Sequence, residues 1–214
     1  MILLPIKDLR GAKQRLSPLL TAEQRTSLAR AMAEDVFDAL RPFANDSGVS
    51  VVSGDAWASQ QAKARGFSII LDDQQAGETE AIAMATSFAV AMGAAFTVVF
   101  PADIPLITSE EVRQLLSLKP QQGCVIAPAA DQRGTNGILR SPGDLIPLKF
   151  GNDSFLPHLA AARATGHEVI VRKFRGIGLD VDRPEDLFAL MKQPIKCRAQ
   201  RLIQEWNISS PEHV

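Results

Sequence analysis

The sequence predicts an α/β fold, a three-layer sandwich in which helices cover both faces of a mostly parallel sheet. Three observations carry that expectation. Short apolar runs alternate with helix-period segments along almost the whole chain, and that alternation is the pattern of βαβ units. The 214 residues are 46% hydrophobic and 22% charged, enough apolar material for one sizeable core. There is no internal repeat, low-complexity tract or linker, so residues 1–214 are read as a single domain with a helical tail from about residue 194.

Taken in order, Ile2 to Ile6 reads as a short buried strand followed by a basic loop. Thr21 with Gln24 has capping-box spacing, and Leu28, Ala31, Met32, Val36 and Leu40 then repeat on one helical face. VSVVS (49–53) is a second strand, and Asp55 caps a helix over Ala56 to Arg65. FSIIL (67–71) is a third strand, followed by a helix from about Glu80 to Met92. AFTVVF (95–100) leads into PADIP, after which Thr108 and Glu111 repeat the capping-box spacing. CVIAP (124–128), GILR (137–140), EVIVRKF (168–174) and GLDV (178–181) complete the expected strands. Helices fit Ser154 to Thr165, Pro184 to Met191 and a last one within 195–206.

A formal net charge of −1 provides no global field to recruit nucleic acid or an anionic membrane, so neither is an expected partner. Cys124 and Cys197 belong to no CxxC or metal-spaced set and read as reduced thiols. The N-terminus turns basic after six residues, without a long apolar region or a small-residue cleavage site. No apolar run approaches the ~20 residues of a membrane span. A cytoplasmic location is the expectation.

In open α/β sheets, ligands bind beyond the carboxyl ends of the strands, and the polar residues collect there. In GLDVDRPEDL, Asp180 and Asp182 alternate with Val181, so both carboxylates project to one side of an extended chain. Either Asp182 helps cap the helix that Pro184, Glu185 and Asp186 open, or the pair holds a cation. Asp103 follows a buried strand between two stiffening prolines, as a turn residue or a third ligand. Three carboxylates with no histidine or cysteine among them favour a hard cation such as Mg²⁺ over zinc. Lys7, Arg10, Lys13 and Arg15 crowd nine residues of loop, which matches neither a P-loop nor a dinucleotide fingerprint. They form a solvated basic surface or a clamp on a triphosphate. RGTNG (133–137) reads as a hairpin turn. In FGNDSF (150–155), Gly151 leads into a helix capped by Asn152 or Asp153, whose free N–H groups can hold an anion. A small acid held by Thr135, Gly151 and Ser154 makes sense of both stretches.

Together LPIKDLRGAKQRL, VVSGD, PADIPLIT, RGTNG, FGNDSFLPH and GLDVDRPEDL resemble, in order and spacing, the CofC guanylyltransferases. These are enzymes of deazaflavin coenzyme biosynthesis related to the molybdenum-cofactor guanylyltransferases. The resemblance implies the Rossmann-like sheet of the nucleotide-diphospho-sugar transferase fold and a homodimer. It further implies transfer of GMP from GTP to 2-phospho-L-lactate, phosphoenolpyruvate or 3-phospho-D-glycerate, with release of pyrophosphate. By motif it makes Asp103, Asp180 and Asp182 the Mg²⁺ ligands and Lys7 and Lys13 the phosphate-binding lysines. Thr135, Gly151 and Ser154 become contacts to the acceptor's carboxylate. Two stretches depart from the family: GETEAI (77–82) stands where Gly-Leu-Asn is frequent, and Arg183 where a threonine is common.

Rival readings differ in their motifs. A nucleotidyltransferase for a sugar phosphate or molybdopterin would carry an LxxGxSxRMG loop, which IKDLRGAKQRL lacks. A glycosyltransferase would use Asp180-Val181-Asp182 as its DxD motif, but that motif normally follows a mid-chain strand. A non-enzymatic assembly subunit leaves three carboxylates and a basic loop without a purpose. An acceptor phosphate is largely ionised at neutral pH, with a second pKa near ~6, so no general base is needed. His158, His167 and His213 are then free of catalytic duty, with His158 read as a packing or hydrogen-bonding residue.

Overall fold

The computed structural model describes residues 1–74, 77–151, 153–194 and 196–208. Seven strands form one sheet: β1 (Ile2–Pro5), β2 (Val49–Val52), β3 (Ser68–Ile70), β4 (Thr97–Val99), β5 (Gly123–Pro128), β6 (Thr135–Ser141) and β7 (Glu168–Val171). Their order is β3-β2-β1-β4-β6-β5-β7. All neighbours are parallel except β6, which runs antiparallel to both β4 and β5. The helices are α1 (Ala22–Leu40), α2 (Ala56–Ala64), α3 (Glu78–Ala91), α4 (Ser109–Ser117), α5 (Phe155–Ala164), α6 (Pro184–Met191) and α7 (Arg198–Glu205).

Side-chain alternation divides the sheet into two buried faces. Leu4, Val51, Val98, Val125 and Leu139 pack under α1, α2 and α4. Leu3, Val52, Val99, Ile126 and Ile138 face the opposite way, under α3 and α5. A third apolar cluster joins the outer side of α1, through Leu28 and Met32, to Val181, α6 and α7. Asp35 of α1 fastens α7 to this cluster by accepting from the N–H groups of Arg198 (2.9 Å) and Ala199 (3.0 Å), the free donors of a helix start.

One buried cation belongs to this framework. Arg140, 2% exposed on β6, donates to Ile146 O (2.8 Å), Thr86 Oγ1 (2.8 Å) and Thr97 Oγ1 (2.9 Å).

The expected strand at 178–181 is corrected, because this stretch is an extended loop. Its backbone is pinned at two points to different segments, Gly178 O accepting from Ala130 N and Val181 N donating to Asp103 O, so no ladder forms. Val181 is nevertheless buried while Asp180 and Asp182 face a cavity, the alternation that the sequence implied. Thr21 and Gln24 close a full capping box, and Asp55 accepts from Ala58 N. At α4 only half the expected box forms, because Glu111 turns away to accept from Gly176 N (2.7 Å). Among the described residues no helix is long and apolar enough to cross a membrane.

Candidate active site

The loops after β1 and β4, the start of β6, and the stretches before α5 and α6 enclose a cavity of about 480 Å³. Asp103, Asp180, Asp182, Thr135, Gly151, Ser154, Lys13 and Arg15 all line it. Lys7 lines an adjoining space of about 310 Å³, which shares Lys13, Asp103, Asp182 and Glu78 with the first. Arg10, the remaining cation of the basic loop, folds back onto Asp8 at 2.6 Å and faces solvent.

Lys13 organises the floor. Its backbone is left-handed (φ 55°), a conformation that costs a non-glycine residue ~1 kcal/mol or more. The bend drives its side chain, 9% exposed, between Asp103 and Asp182, with Nζ at 2.6 Å from Asp103 Oδ2 and 2.5 Å from Asp182 Oδ1. Burial opposes the ammonium's charge, but Asp103 and then Asp182 outweigh it and hold its pKa above the ordinary lysine range. Burial likewise opposes ionisation of Asp182, yet Lys13 keeps that carboxyl below its usual value. The helix-cap alternative for Asp182 is thereby decided: Asp186 does the capping by accepting from the N–H groups of Asp182 and Arg183.

Asp180 has the opposite environment. Burial, and then the charge of Asp103, raise its pKa to about 6, although Asn136 Nδ2 donates to its Oδ1 at 2.9 Å. Among the described residues no three acidic, histidine or cysteine side chains close into a ready metal cluster, because the Lys13 ammonium stands between two of the carboxylates. The residues still fit a hard cation. Asp103 Oδ1 is buried and has no hydrogen-bond partner, and Asp180 is buried beside the charge of Asp103. Both conditions are relieved by positive charge bound to oxygen.

Thr135 and Ser154 come together although 19 residues separate them: Thr135 N donates to Ser154 Oγ at 3.1 Å. The cap position of α5 is Ser154, one residue beyond the expected Asp153. Ser154 occupies the cap position but its hydroxyl is turned to Thr135. Asp153 pairs with Arg133, and Phe155 N donates to Arg133 O, which leaves fewer free N–H groups than a bare helix start. Asn152 lies outside the described residues. Gly151 stands at φ +136° with open space where a Cβ would be, so its backbone conformation is what demands glycine.

Three further residues, to which the sequence assigned no role in the site, line or support it. Glu78 opens α3 and lines both cavities. Burial, then the charge of Asp103, raise its pKa, and Lys7 opposes them. Asn136 orients Asp180, and His158, 1% exposed, bonds to Thr135. Their signal was present only as position: GETEAI was the departure from the family pattern, and Asn136 and His158 sit inside RGTNG and FGNDSFLPH.

The profile of the family described as "Guanylyl transferase CofC like" matches residues 1–210. The chain belongs to this family. CofC-like relatives include a "Phosphoenolpyruvate guanylyltransferase" of Roseiflexus castenholzii, 37% identical over 95% of this chain and 93% of its own length. A "3-phospho-D-glycerate guanylyltransferase" of Colwellia psychrerythraea is 29% identical over 94% of this chain and 96% of its own. In fold, the chain is similar to a crystal structure of a protein described as a nucleotide-diphospho-sugar transferase from Desulfovibrio desulfuricans G20. The TM-score is 0.78, with 23% identity and coverage of 96% and 94%. The CofC-like chain is thus a nucleotidyltransferase on that fold, and the expected class and architecture hold.

Proposed function

We propose that the protein transfers GMP from GTP to a small acid bearing one phosphate and one carboxylate: phosphoenolpyruvate, 3-phospho-D-glycerate or 2-phospho-L-lactate. The observation that carries this reading is the meeting of Asp103, Asp182 and Lys13 on the floor of a cavity that Thr135 and Ser154 also line. Asp103, Asp180 and Asp182 would hold Mg²⁺, which, when bound, neutralises phosphate charge and orients phosphate oxygens. Lys13, with Lys7 and Arg15 nearby, places fixed positive charge where the triphosphate loads and where charge develops on pyrophosphate as it leaves. The acceptor phosphate oxygen attacks the α-phosphorus, and the bond from that phosphorus to the β-bridging oxygen breaks. The nucleophile is already an oxyanion, so no side chain has to remove a proton. Thr135, Gly151 and Ser154 bind the acceptor at the opposite rim by its carboxylate.

Incubation of the protein with α-labelled GTP, Mg²⁺ and each acid in parallel tests this. Labelled GMP adducts with at least one acid are expected, and transfer to none of them would overturn the reading. The homodimer implied by family resemblance belongs to the same proposal. Met84, Phe88 and Met92 are 40%, 48% and 68% exposed in one row at the outer side of α3, an apolar surface suited to a second copy. Sedimentation velocity of the wild type and of Phe88→Glu tests it, with a dimer expected only in the former.

A further inference from the structure

His158 lies behind the acceptor end of the cavity and does not line it. Its Nε2 accepts from the backbone N–H of Lys149 at 2.9 Å, and its Nδ1 stands 3.0 Å from Thr135 Oγ1. A ring nitrogen that accepts carries no proton, and a neutral imidazole has one N–H, so the proton sits on Nδ1. Burial, with the Arg140 charge adding to it, lowers the pKa of the ring to about 4, consistent with the neutral form. Nδ1–H therefore donates to Thr135 Oγ1. That hydroxyl accepts from inside the protein and has its own proton left to give. Ser154 is arranged in the same way, because its Oγ accepts from Thr135 N. Neither hydroxyl proton meets another protein acceptor among the described residues, and both side chains line the cavity.

We propose that His158 is a positioning residue that fixes the Thr135 hydroxyl as a donor toward the acceptor acid. With Ser154 it turns two hydroxyl protons toward the acceptor end of the cavity, and such a wall favours an anion. The inference rests on the acceptor reading given above. His158 touches no substrate and acts through Thr135.

Two conservative variants separate its two bonds. The amide nitrogen of His158→Asn falls near Nδ1 and keeps the donor to Thr135, whereas the amide oxygen of His158→Gln falls near Nε2 and keeps only the Lys149 contact. Steady-state kinetics with GTP and phosphoenolpyruvate, and with GTP and 3-phospho-D-glycerate, read the outcome. His158→Gln and Thr135→Val should each raise the acceptor KM by roughly 10-fold or more, the cost of a hydrogen bond to a charged group, with the GTP KM unchanged. His158→Asn and Thr135→Ser should stay within about 3-fold of the wild type, on the same scale. The double variant Thr135→Val/His158→Gln should lose no more than Thr135→Val alone, because one residue acts through the other. Equal losses in His158→Asn and His158→Gln, a matching rise in the GTP KM, or multiplicative losses in the double variant overturn the proposal. If the His158 variants do not fold, as read by melting, Thr135→Val against Thr135→Ser decides, and equal acceptor KM values in that pair overturn it. The two failures are distinguishable: a wild type that labels none of the three acids sinks the acceptor reading, whereas a wild type that turns over with additive variants sinks only the positioning role.

Discussion

Lys13 and Arg140 are both buried cations, yet their surroundings are opposite. Arg140 lies near the end of β6 in the core, and its described partners are neutral oxygens of Thr86, Thr97 and Ile146. Burial lowers its pKa to about 10, still well above neutrality. Lys13 lies in a strained loop past β1, bonded to two carboxylates that are 26% and 44% exposed toward a cavity. Dipoles in a closed core cannot be exchanged for anything else, so Arg140 is permanent architecture. Carboxylates at the mouth of a crevice can give up an ammonium for another cation, while the ammonium turns to a phosphate. A buried charge thus signals function through the exchangeability of its partners more than through its burial.

The largest expected effect tests the exchangeable side. Asp103→Asn and Asp182→Asn should each lower GMP transfer by at least about 10²-fold, with melting temperatures near that of the wild type. Wild-type turnover in either variant removes that carboxylate from the cation site. Lys13→Ala should lower turnover on the order of 10²-fold, and an unchanged rate with unchanged GTP affinity would break the comparison. Without added metal, Lys13→Met should also destabilise the fold. Losing one member of a buried pair is costly, but solvent at the carboxylates limits the effect to roughly 1–2 kcal/mol. Added Mg²⁺ should restore that melting temperature.

Arg140→Met is the counterpart. It strands the Ile146 carbonyl and the Thr86 hydroxyl, each unpaired group costing about 1–3 kcal/mol, while Thr97 keeps its own bond to Gly143 O, and the cost is partly offset because a buried charge is removed as well. A lower melting point that Mg²⁺ does not restore is expected, with KM and kcat near wild type. A large kinetic defect there would mean that the core cation also serves the site.

His158 sharpens the contrast as a buried base that sheds its proton. Its folded pKa is about 4 against an ordinary 6.5. Between these values the unfolded chain binds a proton that the native state does not, so this contribution to stability is complete above pH 6.5 and is lost on acidification toward pH 4. The loss from pH 7 to pH 5 is roughly 2 kcal/mol, and His158→Gln should lack that part of the slope in a pH series of melting curves. The smallest effect concerns the tail: Asp35→Ala should cost about 1 kcal/mol through loss of the cap on α7, with kinetics unchanged.

Much of the framework was legible because its determinants are local. Thr21 with Gln24, Asp55, and the run from Thr97 to Val99 each declare a helix start or a strand within a few residues. The stretch 178–181 was misread because an apolar run has the same appearance whether its backbone joins a ladder or is pinned by isolated bonds. The direction of β6 was hidden for a related reason: pairing belongs to two segments, and one segment cannot reveal it. The carboxylates were legible by residue type and alternation. The contact of Lys13 with Asp103 and Asp182 spans 90 and 169 residues, and no local pattern encodes such a contact. Glu78 escaped notice because a glutamate in the first turn of a helix is ordinary, and only the fold shows it facing the cavity.

The 169 residues between Lys13 and Asp182 also set a clock. Translation proceeds at ~5–20 residues per second, so the second aspartate is made on the order of 10–30 s after the lysine it embraces. In that interval β1 can already pair with β2 and β4, while Lys13 and Asp103 wait without their last partner. A nascent chain therefore acquires the β2-β1-β4 part of its sheet well before it acquires a closed crevice. A chain halted before Asp180 would lack two of the three aspartates that face this crevice.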